Sequence, residues 1–286
     1  EGNELAELFD MKNAGAIAFG DYKKTIDNAN LMKIALQYVQ DFDMPIIAFC
    51  QDKKIKGNGV VNESINNTKL GLKGIPSLAE ELIIARNLLL LEYTGGKIHI
   101  PTISTAKSVE MIRQVKAKGL NVTCSVAIHN LVFTDQKLEH FNTNFKVTPP
   151  LRTNEDRIAL LTGIQDNTID CITSDHTPID IEFKKVEFDL AKNGTIGLES
   201  AFSSLMNVLS IEKIVEKLTA AKSIFNITEN SLSIGNKAEI TLFTTDGEWV
   251  FEAKNILSKS KNSAFIGEKM KGKVVGIYNN NQLILA

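Results

Sequence analysis

Cysteine, histidine and tryptophan are scarce in this chain. Its 286 residues include three cysteines, four histidines and one tryptophan. The cysteines are odd in number, form no CxxC pair and lie in apolar runs. This pattern argues against a disulfide framework and is typical of small core residues in a reducing cytoplasm. We therefore expect a cytoplasmic protein whose thiols are structural.

Long apolar runs and an excess of one charge are also missing. The most apolar stretch, residues 88–91, is far too short to span a bilayer, and the acidic start does not resemble a signal peptide. The 32 basic and 34 acidic residues are dispersed along the chain and give a net charge of −2. A basic stripe that would indicate nucleic acid is not visible. The composition predicts a globular protein with neither a membrane nor a nucleic-acid partner.

Strand-like and helix-like segments alternate through most of the chain. The strand-like segments are short and mostly apolar without clean alternation, which suits parallel strands covered on both faces. Alternation of strand and helix favours a parallel α/β fold. We predict strands at 14–20, 45–50, 97–103, 121–128 and 170–175, and helices at 28–40, from 77, at 105–118, after 153, at 198–208 and near 210–221.

Two of these helices carry local start or stop signals. Ser77 and Glu80 have the spacing of a capping box, in which each side chain bonds the other residue's backbone N–H. Gly119 provides a left-handed stop for the 105–118 helix. The apolar face of that helix comprises Val109, Ile112 and Val115.

The carboxy-terminal part of the chain has a different character. Residues 236–286 indicate short antiparallel strands, with turns at Asp246-Gly247 and at 279–281. We therefore predict two units. One spans residues 1–230 and contains the parallel strands, and the other spans residues 231–286 and forms part of a small β-domain.

Two segments resemble a known family. KVTPPLR (146–152) and DNTIDCITSDHTP (166–178) are similar to segments of the dihydroorotase branch of the amidohydrolase superfamily. The resemblance implies an amidohydrolase-type (β/α)8 TIM barrel with a small carboxy-terminal β-sandwich portion. Such a barrel has eight strands, and the chain shows five. We expect that an amino-terminal segment with the first barrel strands is missing here; the alternative is a short protein that completes its barrel with a partner chain.

The resemblance also implies chemistry. In the family, Zn²⁺ activates a water that attacks an amide carbonyl, and an Asp at a strand end takes the proton. Asp175 matches this catalytic Asp and also counts as a metal ligand. Asp21 and His129 align with other metal-ligand positions. The alternatives are a strand-end cap for Asp175, a turn residue for Asp21 and an ordinary core residue for His129.

Two further residues align with ligand-contacting positions. Thr148 stands where the family's KVNPPLR-like segment has a substrate-contacting Asn. Gly194, in the segment NGTIGLE (193–199), aligns with a loop that presents backbone amides to the substrate. The resemblance therefore implies substrate contacts at Thr148 and Gly194.

Several chemical positions of the pattern are lost. Phe49 stands at a His-ligand position of an HCED-like segment, and phenylalanine cannot bind zinc. Ile179 replaces the His that follows the family's DHAP sequence, and the first-strand HxH pair has no counterpart. We expect at most one zinc ion, and activity is in doubt.

The resemblance implies the reversible ring closure of N-carbamoyl-L-aspartate to dihydroorotate in pyrimidine biosynthesis, by a zinc-dependent cyclic amide hydrolase, and a homodimer. The alternative is a non-catalytic, dihydroorotase-like scaffold or regulatory partner of aspartate carbamoyltransferase, which the apolar replacements favour. A hydantoinase or allantoinase fits the two segments less well.

Overall fold

The structure is a computed structural model that describes residue 2 and residues 4–228 and 232–285. Helices and strands alternate up to residue 224, and three strands close the chain. The helices are α1 (Leu8–Asn13), α2 (Ala29–Tyr38), α3 (Lys53–Lys56), α4 (Ile65–Leu70), α5 (Leu78–Thr94), α6 (Ala106–Ala117), α7 (Ile128–Val132), α8 (Asn154–Gln165), α9 (Ala201–Leu205), α10 (Ile211–Thr219) and α11 (Ala221–Ile224). The strands are β1 (Phe19–Gly20), β2 (Ile46–Ile47), β3 (Val61–Asn62), β4 (Gly74–Ile75), β5 (Ile98–Ile100), β6 (Val122–Ala127), β7 (Cys171–Thr173), β8 (Ile240–Val250), β9 (Lys269–Asn279) and β10 (Gln282–Leu285).

A five-stranded parallel sheet forms the centre of the molecule. Its order is β1-β2-β5-β6-β7, so strands adjacent in the sheet follow one another along the chain, apart from the excursion through β3 and β4. Every pairing in this sheet is parallel. Consecutive parallel neighbours are the arrangement of a barrel wall. All five predicted strands are present, although each is shorter than its apolar run.

Helices cover the outer face of this sheet. Helices α2, α5, α6 and α8 pack in succession, each against the next. The predicted face of α6 is confirmed, since Val109, Ile112 and Val115 are buried. Gly119 has φ +81°, which confirms the left-handed stop after this helix.

The segment between β2 and β5 contains two strands that the hydrophobic pattern of the sequence did not predict. Strands β3 and β4 form a two-stranded parallel sheet, flanked by the short helices α3 and α4. A capping box starts α4: Ser64 accepts from the backbone, and the Asn67 side chain accepts from the Ser64 N–H. Two-residue strands carry too little periodicity to be recognised in a sequence.

The predicted capping box at Ser77 and Glu80 is wrong. Ser77 makes no side-chain cap hydrogen bond at the start of α5. The Glu80 carboxylate accepts instead from the N–H groups of Ser104 (2.8 Å) and Thr105 (3.2 Å), at the start of α6. A partner distant in sequence prevails because it offers several donors inside the core.

The carboxy-terminal strands form an antiparallel sheet in the order β10-β9-β8. The predicted turn at 279–281 is confirmed, since β9 ends at Asn279 and β10 begins at Gln282. The predicted turn at Asp246-Gly247 is wrong, because β8 continues through it. The register against β9 shifts between Thr244 and Glu248, and Gly247 has φ +90°. The dipeptide therefore forms a bulge, for which a left-handed glycine is equally suited.

Within the described residues, no helix combines the length and the apolar character needed to cross a membrane.

Candidate functional site

A cavity of about 600 Å³ lies where the parallel strands β1, β2, β5 and β7 end. Its volume is that of a site for a small molecule. The carboxyl end of a parallel sheet is also where α/β proteins place ligand sites. The residues that line it include Asp21, Tyr22 and Lys23 after β1, Phe49 after β2, Pro101 and Thr102 after β5, and Ser174 and Asp175 after β7; Leu198, Leu218 and Phe225 close its apolar side.

Asp175 lies at this edge, as its place after a buried strand predicts. Its side chain is 8% exposed, and its backbone has φ +45°, a conformation that non-glycine residues rarely adopt. The Thr177 hydroxyl donates to the Asp175 carbonyl oxygen at 3.0 Å. The tight turn therefore holds the backbone in a strained form and directs the carboxylate towards the loop that follows β1.

Lys23, in the loop after β1, forms an ion pair with that carboxylate. Its Nζ lies 2.8 Å from Oδ1 of Asp175 and donates to Oδ2 at 2.9 Å. Lys23 also has positive φ, at +48°. Sequence reasoning did not identify Lys23 as a site residue, because the ion pair joins residues 152 positions apart.

His129 lies beside the same carboxylate. Its Nε2 is 4.0 Å from Oδ2 of Asp175, and the side chain is completely buried at the start of α7. Within the described residues, neither ring nitrogen has a hydrogen-bond partner. Burial lowers the pKa of His129 to about 4; the nearby Asp175 carboxylate opposes this shift, and Lys23 adds to it. The imidazole is therefore neutral at pH 7.

The other residues implied by the resemblance are dispersed. Asp21 lines the cavity on the Lys23 loop. Thr148 and Gly194 are not among the lining residues. The Gly194 N–H donates to the Lys146 carbonyl at 2.8 Å, so this amide is already engaged. The Thr148 hydroxyl is buried, without a partner among the described atoms, next to the cis Thr148-Pro149 bond.

Thr102 is a site residue that sequence reasoning missed. It follows β5, lines the cavity, and has φ +54°. Its backbone N–H donates to the Ser125 hydroxyl at 3.2 Å and is therefore not free to bind a ligand. Its own hydroxyl is buried without a partner in the described part of the chain. No signal in the sequence marks it, because its place in the cavity depends on which strand ends assemble around it.

These residues do not fit the metal that the resemblance implies. No group of three or more His, Cys, Asp or Glu side chains in the described ranges is arranged to hold an ion. Asp175 and His129 are neighbours, but the ammonium of Lys23 already contacts both oxygens of the carboxylate. Phe49 contributes an apolar ring to the cavity where a donor would be needed.

Comparison with curated proteins relates the whole chain to one family. A family model described as dihydro-orotase-like matches residues 1–108. The chain is 41% identical to the dihydroorotase of Acetivibrio thermocellus, over all of its own length and 68% of that protein. It is 44% identical to the dihydroorotase of Endomicrobium trichonymphae, over 96% of its own length and 67% of that protein. The chain thus spans about two thirds of the relatives it matches.

Solved structures show the same fold at lower identity. The L-hydantoinase of Arthrobacter aurescens superposes with a TM-score of 0.85 at 22% identity, over 98% of this chain and 67% of that one. The inactive dihydroorotase-like domain of a Chaetomium thermophilum CAD-like multifunctional protein gives a TM-score of 0.56 at 20% identity, over 93% of this chain and 72% of that one. These likenesses support the amidohydrolase-type fold.

The order of the parallel strands, the position of Asp175 and the identity along the whole chain agree with one another. The chain belongs to the dihydroorotase family.

Proposed function

We propose that this chain serves the dihydroorotase step of pyrimidine biosynthesis, the reversible ring closure of N-carbamoyl-L-aspartate to dihydroorotate. The observation that carries the proposal is the identity of about 40% to curated dihydroorotases along the whole chain. The cavity at the strand ends has room for a molecule of this size and contains Asp175. The family also implies a metal cofactor, with zinc as the expected ion.

The charged side chains that line the cavity are Asp21, Lys23 and Asp175, and the neighbouring walls are largely apolar. Because the Lys23 ammonium is paired with Asp175, it is available to a substrate carboxylate only when that ion pair opens. Dihydroorotate carries one carboxylate, and its uncyclised precursor carries two. Once released from Asp175, the ammonium in this partly desolvated cavity would attract such a group more strongly than a cation in open water. Asp175 supplies the carboxylate that would exchange a proton with the reacting nitrogen or water.

A second candidate function is a non-catalytic one. The Lys23–Asp175 ion pair and Phe49 favour it, because the carboxylate is already engaged and the residues do not fit a metal. In this case the chain is a dihydroorotase-like scaffold or regulatory partner, with aspartate carbamoyltransferase as the partner. Homodimer formation and a cytoplasmic location belong to both candidates as proposals.

One assay separates the two candidates. We would measure dihydroorotate hydrolysis by the purified chain with and without added Zn²⁺, and compare it with an Asp175→Asn variant. Turnover that disappears in Asp175→Asn supports the enzyme. The scaffold is supported if there is no turnover and the chain co-purifies with added aspartate carbamoyltransferase as a stable complex. Turnover that persists in Asp175→Asn contradicts the role proposed for this residue.

A further inference from the structure

We propose that the ammonium of Lys23 is the resident cation of this site, taking the place of a metal ion as charge partner of Asp175. The folded site is then independent of divalent metals. The inference rests on the geometry of these two residues and not on the proposed reaction.

The Lys23 ammonium contacts both carboxylate oxygens of Asp175. Nζ of Lys23 lies 2.8 Å from one carboxylate oxygen of Asp175 and 2.9 Å from the other. The lysine side chain is 20% exposed and the aspartate side chain 8% exposed. Because both groups are largely removed from water, their attraction is stronger than that of a surface pair.

The position of Nζ competes directly with a metal. A zinc ion binds a carboxylate oxygen at about 2.0–2.2 Å, so it would approach the same two oxygens that Lys23 contacts. A divalent ion at that distance would lie close to the ammonium and be repelled by it. Metal entry therefore requires Lys23 to leave Asp175.

The backbone supports this arrangement at both ends. Lys23 has φ +48° and Asp175 has φ +45°. Left-handed conformations at non-glycine residues are strained, and they persist where surrounding contacts compensate. The ion pair joins the two strained turns, after β1 and after β7, across the mouth of the cavity.

The remaining neighbours do not supply a competing metal site. His129 is the nearest nitrogen donor, with Nε2 at 4.0 Å from the carboxylate. Phe49 presents a ring to the same cavity, and Asp21 also lines it. One imidazole, one engaged carboxylate and Asp21 are fewer than the four ligands of a closed zinc site, and among the described residues no three His, Cys, Asp or Glu side chains are grouped to hold an ion. The ammonium is thus the charge that balances Asp175 when the chain folds.

The first test needs no variant. We would determine the metal content of the purified chain and its thermal midpoint with EDTA, with Zn²⁺ and with Co²⁺. We expect negligible bound metal and a midpoint that none of the three additions shifts. Near-stoichiometric metal, or a midpoint that EDTA lowers, overturns the proposal. Because enzymatic turnover is not the readout, failure of the proposed reaction leaves this result intact.

The second test uses Lys23→Met, with Lys53→Met as the matched control. Lys53 forms an ion pair with Asp27 at 2.9 Å, in which both side chains are about 60% exposed. We expect Lys23→Met to lower the thermal midpoint clearly more than Lys53→Met. In an Asp175→Asn background, Lys23→Met should no longer lower the thermal midpoint. An equal loss in both backgrounds shows that the two residues are not partners and overturns the proposal.

The third test asks whether the ammonium excludes metal. We would titrate Co²⁺ into the Lys23→Met/Phe49→His variant, which frees the carboxylate and adds an imidazole, and compare it with Phe49→His alone. We expect at least tenfold tighter binding when Lys23 is replaced. Equal affinity in the two variants overturns the proposal. If Lys23→Met does not fold, Lys23→Gln replaces it in both comparisons.

Discussion

Two buried carboxylates in this molecule have opposite surroundings. Glu80, on α5, accepts hydrogen bonds from Ser104 and Thr105 N–H groups and from the Ser104 and Ser108 hydroxyls, and Arg152 lies 3.7 Å away. Asp175, after β7, contacts Lys23 and lies beside an imidazole that has no hydrogen-bond partner within the described residues.

This difference separates a carboxylate that stabilises the fold, Glu80, from a carboxylate in the candidate site, Asp175. The Glu80 carboxylate connects α5 to the start of α6, where backbone N–H groups and the helix dipole favour a negative charge. Both oxygens of this carboxylate accept hydrogen bonds from within the core, although Nη2 of the neighbouring Arg152 has no hydrogen-bond partner in the described residues. Around Asp175, the His129 ring and the Thr102 hydroxyl retain unused hydrogen-bonding capacity in the described structure. A functional role is one explanation of such unsatisfied buried groups, and here Thr102 lines a cavity that is large enough for a ligand.

The largest expected effect lies on the structural side of this comparison. Glu80→Gln should lower the free energy of unfolding by about 3 kcal/mol or more, because it leaves Arg152 without its charge partner and removes an acceptor from α6. Urea denaturation measures it. Glu92→Gln, in an exposed pair with Lys118, is the control and should cost little. A loss below about 1 kcal/mol for Glu80→Gln would contradict the comparison.

The next effect concerns pH on the cavity side. Burial, with a smaller contribution from Lys116, lowers the pKa of His99 from 6.5 to about 4. The unfolded chain therefore binds this proton at higher pH than the folded chain. Stability from this source is complete above pH 6.5 and is lost as the pH falls towards 4, by roughly 3 kcal/mol.

The measurement is the free energy of unfolding as a function of pH in the wild type and in His99→Asn. The variant should show a flatter profile between pH 6.5 and 4. Identical profiles for wild type and His99→Asn would rule out His99 as a source of the pH dependence.

A smaller effect is expected at the site acid itself. Asp175→Asn should cost about 1–2 kcal/mol, since it removes a charge-assisted hydrogen bond whose lysine partner can still reach water. Chemical denaturation of this variant beside Glu80→Gln gives the ranking directly. A cost at Asp175 equal to that at Glu80 would show that the two acids are both structural.

The smallest effect is expected at the surface. Lys53→Met breaks an ion pair with Asp27 in which both side chains are well exposed. Such pairs contribute under about 1 kcal/mol, and the contribution is further reduced by salt. The free energy of unfolding in low and high salt should therefore hardly differ from that of the wild type. If Lys53→Met lowered the free energy of unfolding as much as Asp175→Asn does, burial would not explain the order of these effects.

Much of the fold was predictable because it depends on local patterns. The five parallel strands, the buried face of α6 and the turn at 279–281 follow from apolar runs, helical spacing and turn residues. The errors arose where the partner is distant or the pattern is short. Glu80 bonds α6 and not Ser77, and Gly247 forms a bulge, a role that the dipeptide alone does not distinguish from a turn.

The site was predictable only in part. The place of Asp175 after a buried strand, together with the wording of its segment, indicated a residue at the cavity. The roles of Thr148 and Gly194 remain predictions, and the two-unit boundary near residue 230 is likewise a proposal. Lys23 and Thr102 carry no sequence signal of their own, because their importance depends on which strand end lies opposite.

The sequence by itself determined the alternation of strand and helix, the family and the position of Asp175, because each is encoded in residues close together along the chain. Only the tertiary structure decided which groups meet. It placed Lys23 against Asp175 across 152 positions and left His129 beside them without a hydrogen-bond partner in the described residues. Charge pairing and burial depend on distances in space, and these exist only after the strands have assembled into a sheet.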